Sequence, residues 1–398
     1  MSDTNMDKYK YLRRELNKSE LINLNPIQRG GILTKEAREA LLEFGDGYST
    51  CDWCPPKFAR LDRIEKPPIK DFYEDLAEFL GMDVARVVTR CREAMFIVFK
   101  MLSLPGDYIV VDSLAHYSTY LAIEFAGLKV KEVPHTSYPN FQLLLEMYRD
   151  KIEEVKKETG KLPAAVLLTH VDHLYGNFND TLIVSKIAHE YNIPVILNAA
   201  YTAGIMSVNG KKLGVDVIVS SGHKSWAASA PTGILALTED MAKKILPTAT
   251  ITGDWSKRSF KTKEMPLLGC TVMGAPLITL MASFPHVVKR VEKWNEELEK
   301  VQYFVKEIEK IEETRVLGVK PKKHTLIHVE SIGLHKVSEK HHRRGFYLYD
   351  ELKKRKIVGI QPGLSKHFKL NIYGLSWDEV KYVVNAFHDI AATYGLKI

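Results

Sequence analysis

The chain has 398 residues, of which 45% are hydrophobic, enough to bury a large core. Lys and Arg number 56 against 49 Asp and Glu, and the resulting net charge of +7 permits nucleic-acid binding without demanding it. Four cysteines are too few for a disulfide scaffold, and no apolar stretch approaches the ~20 residues that span a bilayer, so a cytoplasmic protein with neither leader nor anchor is expected.

Residues 1–80 read as an N-terminal segment. It opens on a basic stretch, 8–14, with tyrosines between the charges, and it carries Cys51-Asp52-Trp53-Cys54. This C-x-x-C pair lies among Gly, Ser and Pro, in a loop context where two thiols can be exposed and close together. Residues 81–285 read as a large domain. Short apolar runs at 108–112, 164–168, 193–197 and 215–219 alternate there with helical stretches, the pattern of a mostly parallel sheet covered on both faces. Residues 286–398 read as a smaller C-terminal α+β domain, with a helix pattern over 287–311 and strands at 326–329 and 369–372. The basic runs 320–324 and 335–344 are expected to attract phosphate backbones.

Ligands of such sheets gather at the carboxyl ends of the strands, where Asp112, His116, His170, His173, Asn198 and Lys224 all fall. Lys224 follows the run 215–219 in Ser221-Gly222-His223-Lys224-Ser225. A lysine held at a strand terminus among small residues is positioned and partly desolvated, which suits its amine to attack an aldehyde such as pyridoxal phosphate (PLP). Ser221 and His223 are then donors for the phosphate of that cofactor.

With these motifs in place the chain resembles the aspartate-aminotransferase-like PLP-dependent transferases, most closely their cysteine desulfurase branch. Ser221-Gly222-His223-Lys224 followed by Pro231-Thr232-Gly233 looks like the lysine loop of that branch, and His116 looks like its ring-stacking histidine. The segment 89–94, Thr-Arg-Cys-Arg-Glu-Ala, falls where the family places a phosphate-cradling loop before a helix, which makes Arg90, Cys91 and Arg92 cofactor-binding residues by resemblance. His173 and Tyr201 occupy positions where the family presents groups near the cofactor hydroxyl. The implied fold is α/β: a PLP-dependent transferase large domain with a mostly parallel sheet, plus the smaller α+β domain.

Two departures narrow the resemblance. Asn198 replaces the aspartate that usually faces the pyridine nitrogen, and an amide cannot hold that nitrogen protonated as a carboxylate does. Near the C-terminus, where desulfurases carry an arginine for a free substrate carboxylate, the chain has Phe368-Lys369-Leu370-Asn371. An esterified carboxylate points to aminoacyl-tRNA. The stretches 22–31 and 46–54 are similar to the O-phosphoseryl-tRNA:cysteinyl-tRNA synthase family, which extends the resemblance over nearly the whole chain.

That family uses PLP to eliminate phosphate from phosphoserine on tRNA(Cys) and then adds sulfur to make cysteinyl-tRNA. The resemblance implies catalytic roles for Lys224 and His116, with Arg92, His116 and Lys257 meeting the substrate phosphate. It also links Cys51, Cys54 and Cys270 to sulfur delivery, as a persulfide carrier or as ligands of an iron–sulfur cluster. A homodimer is expected, as is hand-over of substrate within a complex with the phosphoseryl-tRNA synthetase; the sulfur donor is not readable. Two other readings stay open at this point. One is a cysteine desulfurase or selenocysteine lyase relative acting on a free amino acid, for which Arg343 or Arg344 would bind the carboxylate. The other is a non-catalytic basic tRNA-binding protein with a metal at its cysteines.

Overall fold

The structure is a computed structural model and describes residues 20–27, 29–45, 49–50, 64, 67–269 and 272–398. It divides into two compact units. The larger comprises the described residues of Gly30–Leu298 together with Gly318–His324; the smaller comprises those of Met1–Arg29, Glu299–Leu317 and Thr325–Ile398. These limits differ from the expected spans 1–80, 81–285 and 286–398. The Phe284-Pro285 pair read as a domain end lies inside the helix Gly274–Val291.

In the larger unit the described residues form a seven-stranded sheet: β1 (Val84–Val88), β2 (Tyr108–Asp112), β3 (Lys129–Val133), β4 (Ala165–Thr169), β5 (Val195–Asn198), β6 (Val217–Ser221) and β7 (Gly233–Leu237). The spatial order is β1-β7-β6-β5-β4-β2-β3, and β7 runs antiparallel to both of its neighbours while the remaining pairings are parallel. Strands β4, β5 and β6 are buried along their whole length, because helices cover both faces. One apolar layer is centred on Leu76, Tyr148, Val166 and Leu197, and the other on Met95, Phe99, Val111 and Val219. Two helices matter for the site. Helix α1 (Cys91–Leu102) follows β1, and α2 (Tyr117–Phe125) follows β2.

In the smaller unit, β8 (Thr314–Leu317), β9 (Leu326–Ser331) and β10 (His367–Asn371) form an antiparallel sheet in that order. Its core includes Phe368, whose ring stacks on Phe387 of the C-terminal helix Trp377–Thr393 at 5.9 Å. A capping box starts that helix: Ser376 Oγ accepts from the Glu379 N–H at 3.2 Å, and the Glu379 carboxylate accepts from the Ser376 N–H at 2.7 Å. The two-residue strand Ile22–Asn23 pairs in parallel with Ile357–Val358 and buries Leu24 in the same core.

Candidate active site

Lys224 stands on a single helical turn, Gly222–Ser225, at the carboxyl end of β6. The turn is pinned from below. Ser225 Oγ donates to the Ala200 carbonyl at 2.7 Å, and the indole N–H of fully buried Trp226 donates to Ser220 Oγ at 2.9 Å. The chain at Gly30-Gly31 lies directly against it: a Cβ on Gly31 would sit 1.8 Å from the His223 carbonyl oxygen, so only glycine permits this approach. The Arg290 guanidinium donates to the carbonyls of Gly204 at 2.7 Å and Gly30 at 3.1 Å, tying both segments together.

A small cavity lined mostly by polar side chains opens above this turn. Its wall contains Arg90, Cys91, Arg92, His116, His173, Asn198, Tyr201, Ser221, His223 and Lys224. Every residue that the sequence assigned to the cofactor is therefore brought to one cavity, from β4–β6, the starts of α1 and α2, and the lysine turn. Ser118, Thr169, Val171 and Ala200 also line it and were not singled out from the sequence. Ser118 had a signal: it is two residues past His116, where an N-cap side chain accepts a backbone N–H.

His116 is that N-cap. Its Nδ1 accepts from the Ser118 N–H at 3.2 Å, which leaves the proton of a neutral ring on Nε2. The ring meets His173 edge to face, with centroids 4.8 Å apart. Helix α1 has Arg90 as its N-cap without a side-chain cap, so its first N–H groups and the flanking Arg90 and Arg92 suit an anion. The Lys224 ammonium lies 4.6 Å over the Tyr201 ring. Asn198 is oriented by its carbonyl, which accepts from the Ala200 N–H at 3.2 Å and faces Cys91 Sγ at 3.9 Å.

Electrostatics follow burial. Desolvation pushes the Cys91 thiol up to about 12 although Lys224 and Arg92 pull it down, so Cys91 is a neutral wall residue and not a nucleophile. His223 is held below the ordinary histidine value by desolvation and by Lys224. Burial also raises the Tyr201 phenol well above its usual value.

Behind the wall, His170 is buried, bonds Thr202 Oγ1 through Nδ1 at 2.9 Å, and has its pKa lowered to about 3 by desolvation. An unfolded histidine binds a proton near pH 6.5 and this one does not, so stability is present above pH 6.5 and is lost as pH falls towards 3. Urea denaturation at pH 7, 6 and 5 should show the acid limb of His170→Gln flatter than that of the parent, by a difference that approaches ~1.4 kcal/mol per pH unit only below pH 6.

Of the remaining predicted residues, Lys257 is not part of the cavity wall. It sits on an exposed hairpin, 248–264, with its ammonium 2.5 Å from the Asp254 carbonyl oxygen. Cys51, Cys54 and Cys270 lie outside the described residues. Arg343 is held by Asp350 at 2.8 Å in the smaller unit, and β10 carries Lys369 but no arginine. Among the described residues no cluster of metal-ligating side chains occurs, and no helix is long and apolar enough to cross a membrane.

The topology and a lysine at the end of β6 define a fold-type I, PLP-dependent enzyme architecture, and solved structures agree. The chain superposes on a cysteine desulfurase from Thermococcus onnurineus NA1 with a TM-score of 0.73 over 94% of this chain and 95% of that one, at 19% identity, a likeness of fold. A crystal structure of a SepCysS–SepCysE N-terminal domain complex matches with a TM-score of 0.89 and 51% identity over 98% of this chain and all of that one. The family model of O-phosphoseryl-tRNA(Sec) selenium transferase, SepSecS, matches residues 69–397. An O-phospho-L-seryl-tRNA:Cys-tRNA synthase 2 of Archaeoglobus fulgidus is 53% identical over 95% of this chain and 96% of its own length, and the synthase of Methanopyrus kandleri is 50% identical over 99% and 100%. The chain belongs to the SepSecS family and, within it, to the O-phospho-L-seryl-tRNA:Cys-tRNA synthases.

Proposed function

We propose that this protein uses PLP to convert O-phosphoseryl-tRNA(Cys) into cysteinyl-tRNA(Cys). The observation that carries the reading is the single cavity holding Lys224, the arginine-flanked start of α1, the histidine pair and Asn198, in a chain matched end to end by synthases of that name. The donor set fits the cofactor. Arg90, the N–H groups of α1, Ser221 and His223 would hold its phosphate, His116 and His173 would flank its ring, Asn198 would face its nitrogen, and Lys224 would bond its aldehyde. When bound, PLP supplies the electron sink that makes the substrate α-proton acidic.

The protein groups divide the remaining work. Lys224 takes the α-proton and later returns it, acting as general base and then acid. As the Cβ–O bond breaks, the phosphate leaves with its electron pair and is received by Arg92 and His116. Asn198, an amide in place of a carboxylate, would not hold the cofactor's ring nitrogen protonated, and the weaker sink it would give suits elimination of a good leaving group better than transamination. The sulfur then forms a bond to Cβ. We assign its delivery to a persulfide on the Cys51/Cys54 pair: the terminal sulfur attacks Cβ, the second thiolate attacks the carrier sulfur, and cysteinyl-tRNA leaves as a Cys51–Cys54 disulfide forms. A thiol reductant and a sulfur donor must then restore the pair.

The RNA half of the substrate suits the hairpin 248–264. Trp255 at its tip is 92% exposed, and Lys257, Arg258, Lys261 and Lys263 follow it in the hairpin, whose acids are Asp254 and Glu264, the latter paired with Arg86. Exposed aromatic and basic groups together bind single-stranded nucleic acid by stacking and charge. Trp255→Ala is expected to raise KM for the charged tRNA about tenfold and leave kcat within twofold, from stacking worth ~1–3 kcal/mol per base, as steady-state kinetics at fixed salt would show.

A second copy of the chain is the expected partner. Tyr117, Leu121 and Phe125 form an exposed apolar stripe on α2, beside a groove that shares Arg90, Arg92 and Ser118 with the cavity. A complex with a further protein is also proposed, since the similar SepCysS structure holds the N-terminal domain of SepCysE; the synthetase that makes phosphoseryl-tRNA remains a proposed partner on the ground that it supplies the substrate. The free-amino-acid and non-catalytic readings gain nothing from the chain-long relatives. The test is phosphate release: O-phosphoseryl-tRNA should yield inorganic phosphate with the PLP-loaded protein and a sulfur donor, and free O-phosphoserine should not. Equal turnover of both would remove the tRNA from the reading.

A further inference from the structure

The basic run 320–324 is not the solvated surface that its composition suggests. Lys322 is 1% exposed and His324 is fully buried, while Lys320 and Lys323 between and beside them face solvent. A buried lysine is costly unless the protein gives it partners, so Lys322 requires an explanation.

Its partners lie under the cavity wall. The Lys322 ammonium donates to the Tyr175 carbonyl at 2.6 Å, and the Asp172 carboxylate nearby favours its charge against the desolvation that lowers its pKa to about 8. Asp172 itself is fully buried and organises the turn that follows β4: it accepts N–H groups from Leu174 at 2.9 Å, Tyr175 at 2.6 Å and Asn177 at 2.8 Å. His173 is carried on this turn, with its ring against His116. Further along the same segment, the Val319 N–H donates to Asn177 Oδ1 at 2.8 Å. Gly318, at φ +95°, approaches so closely that a Cβ would lie 2.4 Å from Asn177 Oδ1 and 2.7 Å from Lys322 Nζ. At the other end His324 Nε2 bonds the Tyr201 carbonyl at 2.9 Å, with the ring packed on Trp294. His173 and Tyr201 are both cavity-wall residues.

We propose that residues 318–324 are a positioning strap for the cofactor cavity: Lys322 braces the turn that presents His173, and His324 anchors the backbone of Tyr201. Neither reaches the cavity, so both are positioning residues and act through the two residues that do. The inference rests on the cavity being the PLP site. Its physical logic is that a turn stitched only by its own carboxylate leaves a buried negative charge, and the strap supplies the compensating cation together with a fixed distance.

The test measures PLP affinity by absorbance titration of the purified protein, alongside thermal denaturation, for Lys322→Met, His324→Phe and the exposed control Lys320→Ala. The strap predicts PLP binding weakened at least tenfold in the first two, measured well below their melting temperatures, and within twofold in the control. It also predicts rescue. Lys322→Arg, which keeps a cation beside Asp172, should bind PLP more tightly than Lys322→Met, and His324→Gln, which keeps an N–H donor, should bind more tightly than His324→Phe. Folded Lys322→Met and His324→Phe that bind PLP within twofold of the parent, even with lowered melting temperatures, would overturn the proposal. If Lys322→Met does not fold, Lys322→Arg and the His324 pair decide by the same criterion. A parent chain that binds no PLP would remove the cofactor reading, and the strap with it.

Discussion

Replacement of Lys224 by alanine is expected to abolish conversion of phosphoseryl-tRNA and the covalent hold on the cofactor together. The turn Gly222–Ser225 is pinned by Ser225 Oγ, by the Trp226 indole and by the Arg290 guanidinium, which donates to the Ser225 carbonyl, so alanine should be accommodated without loss of fold, and the loss is one of chemistry. General base catalysis alone is worth ~10²–10⁴ in rate, and the same amine is proposed to bond the aldehyde, so a drop of at least ~10³ in kcat is expected. Borohydride treatment followed by peptide mapping should fix the cofactor to the Lys224 peptide of the parent protein and to no peptide of the variant. A variant that still retains reducible cofactor would place the covalent attachment on another lysine.

The second large effect is expected at Gly233, a residue without chemistry of its own. It begins β7 and pairs with Val88 and Ser221, which brings it against the start of α1. A Cβ there would lie 2.3 Å from the Arg90 carbonyl carbon and 2.6 Å from the Cys91 nitrogen, and neither can yield as a flexible side chain does. Gly233→Ala must therefore push the first turn of α1 away from the cavity. Overpacking of this kind costs ~1–3 kcal/mol in stability. The larger consequence is at the anion site, where displaced N–H groups and Arg90 should weaken PLP binding ~100-fold in an absorbance titration. Unchanged affinity would mean that the start of α1 does not hold the cofactor phosphate.

Much of this was legible from residues alone, for definite reasons. The runs 108–112, 164–168, 193–197 and 215–219 are too short and too continuously apolar for amphipathic helices, and they became β2, β4, β5 and β6. Chemistry at strand ends follows from parallel topology, which is why His116, Asn198 and Lys224 arrive in one cavity. Strand direction was not legible. The five apolar residues of β7 carry no mark that distinguishes an antiparallel strand from a parallel one, since periodicity reports burial and not orientation.

Long-range pairing was equally hidden. Ile22–Asn23 is two residues long, and its partner Ile357–Val358 is remote in the chain, so its place in the smaller unit leaves no local trace. Lys322 and His324 looked like solvated charge because their partners, Tyr175, Asp172 and Tyr201, are far away in sequence. The expected domain limit at 285 falls inside the helix Gly274–Val291, which runs through Pro285, an instance of tertiary packing overriding a local breaker.

The central claim is that the Lys224 cavity exchanges phosphate for sulfur on a tRNA-bound amino acid. The most direct test is to incubate the PLP-loaded protein with O-phosphoseryl-tRNA(Cys), a thiol reductant and polysulfide, whose zero-valent sulfur can load the Cys51/Cys54 pair, then deacylate the tRNA and identify the amino acid released. Cysteine, absent when Lys224→Ala replaces the parent, is the predicted result. Unchanged phosphoserine, with alanine and sulfide formed from free cysteine instead, would contradict the account and make the protein a desulfurase.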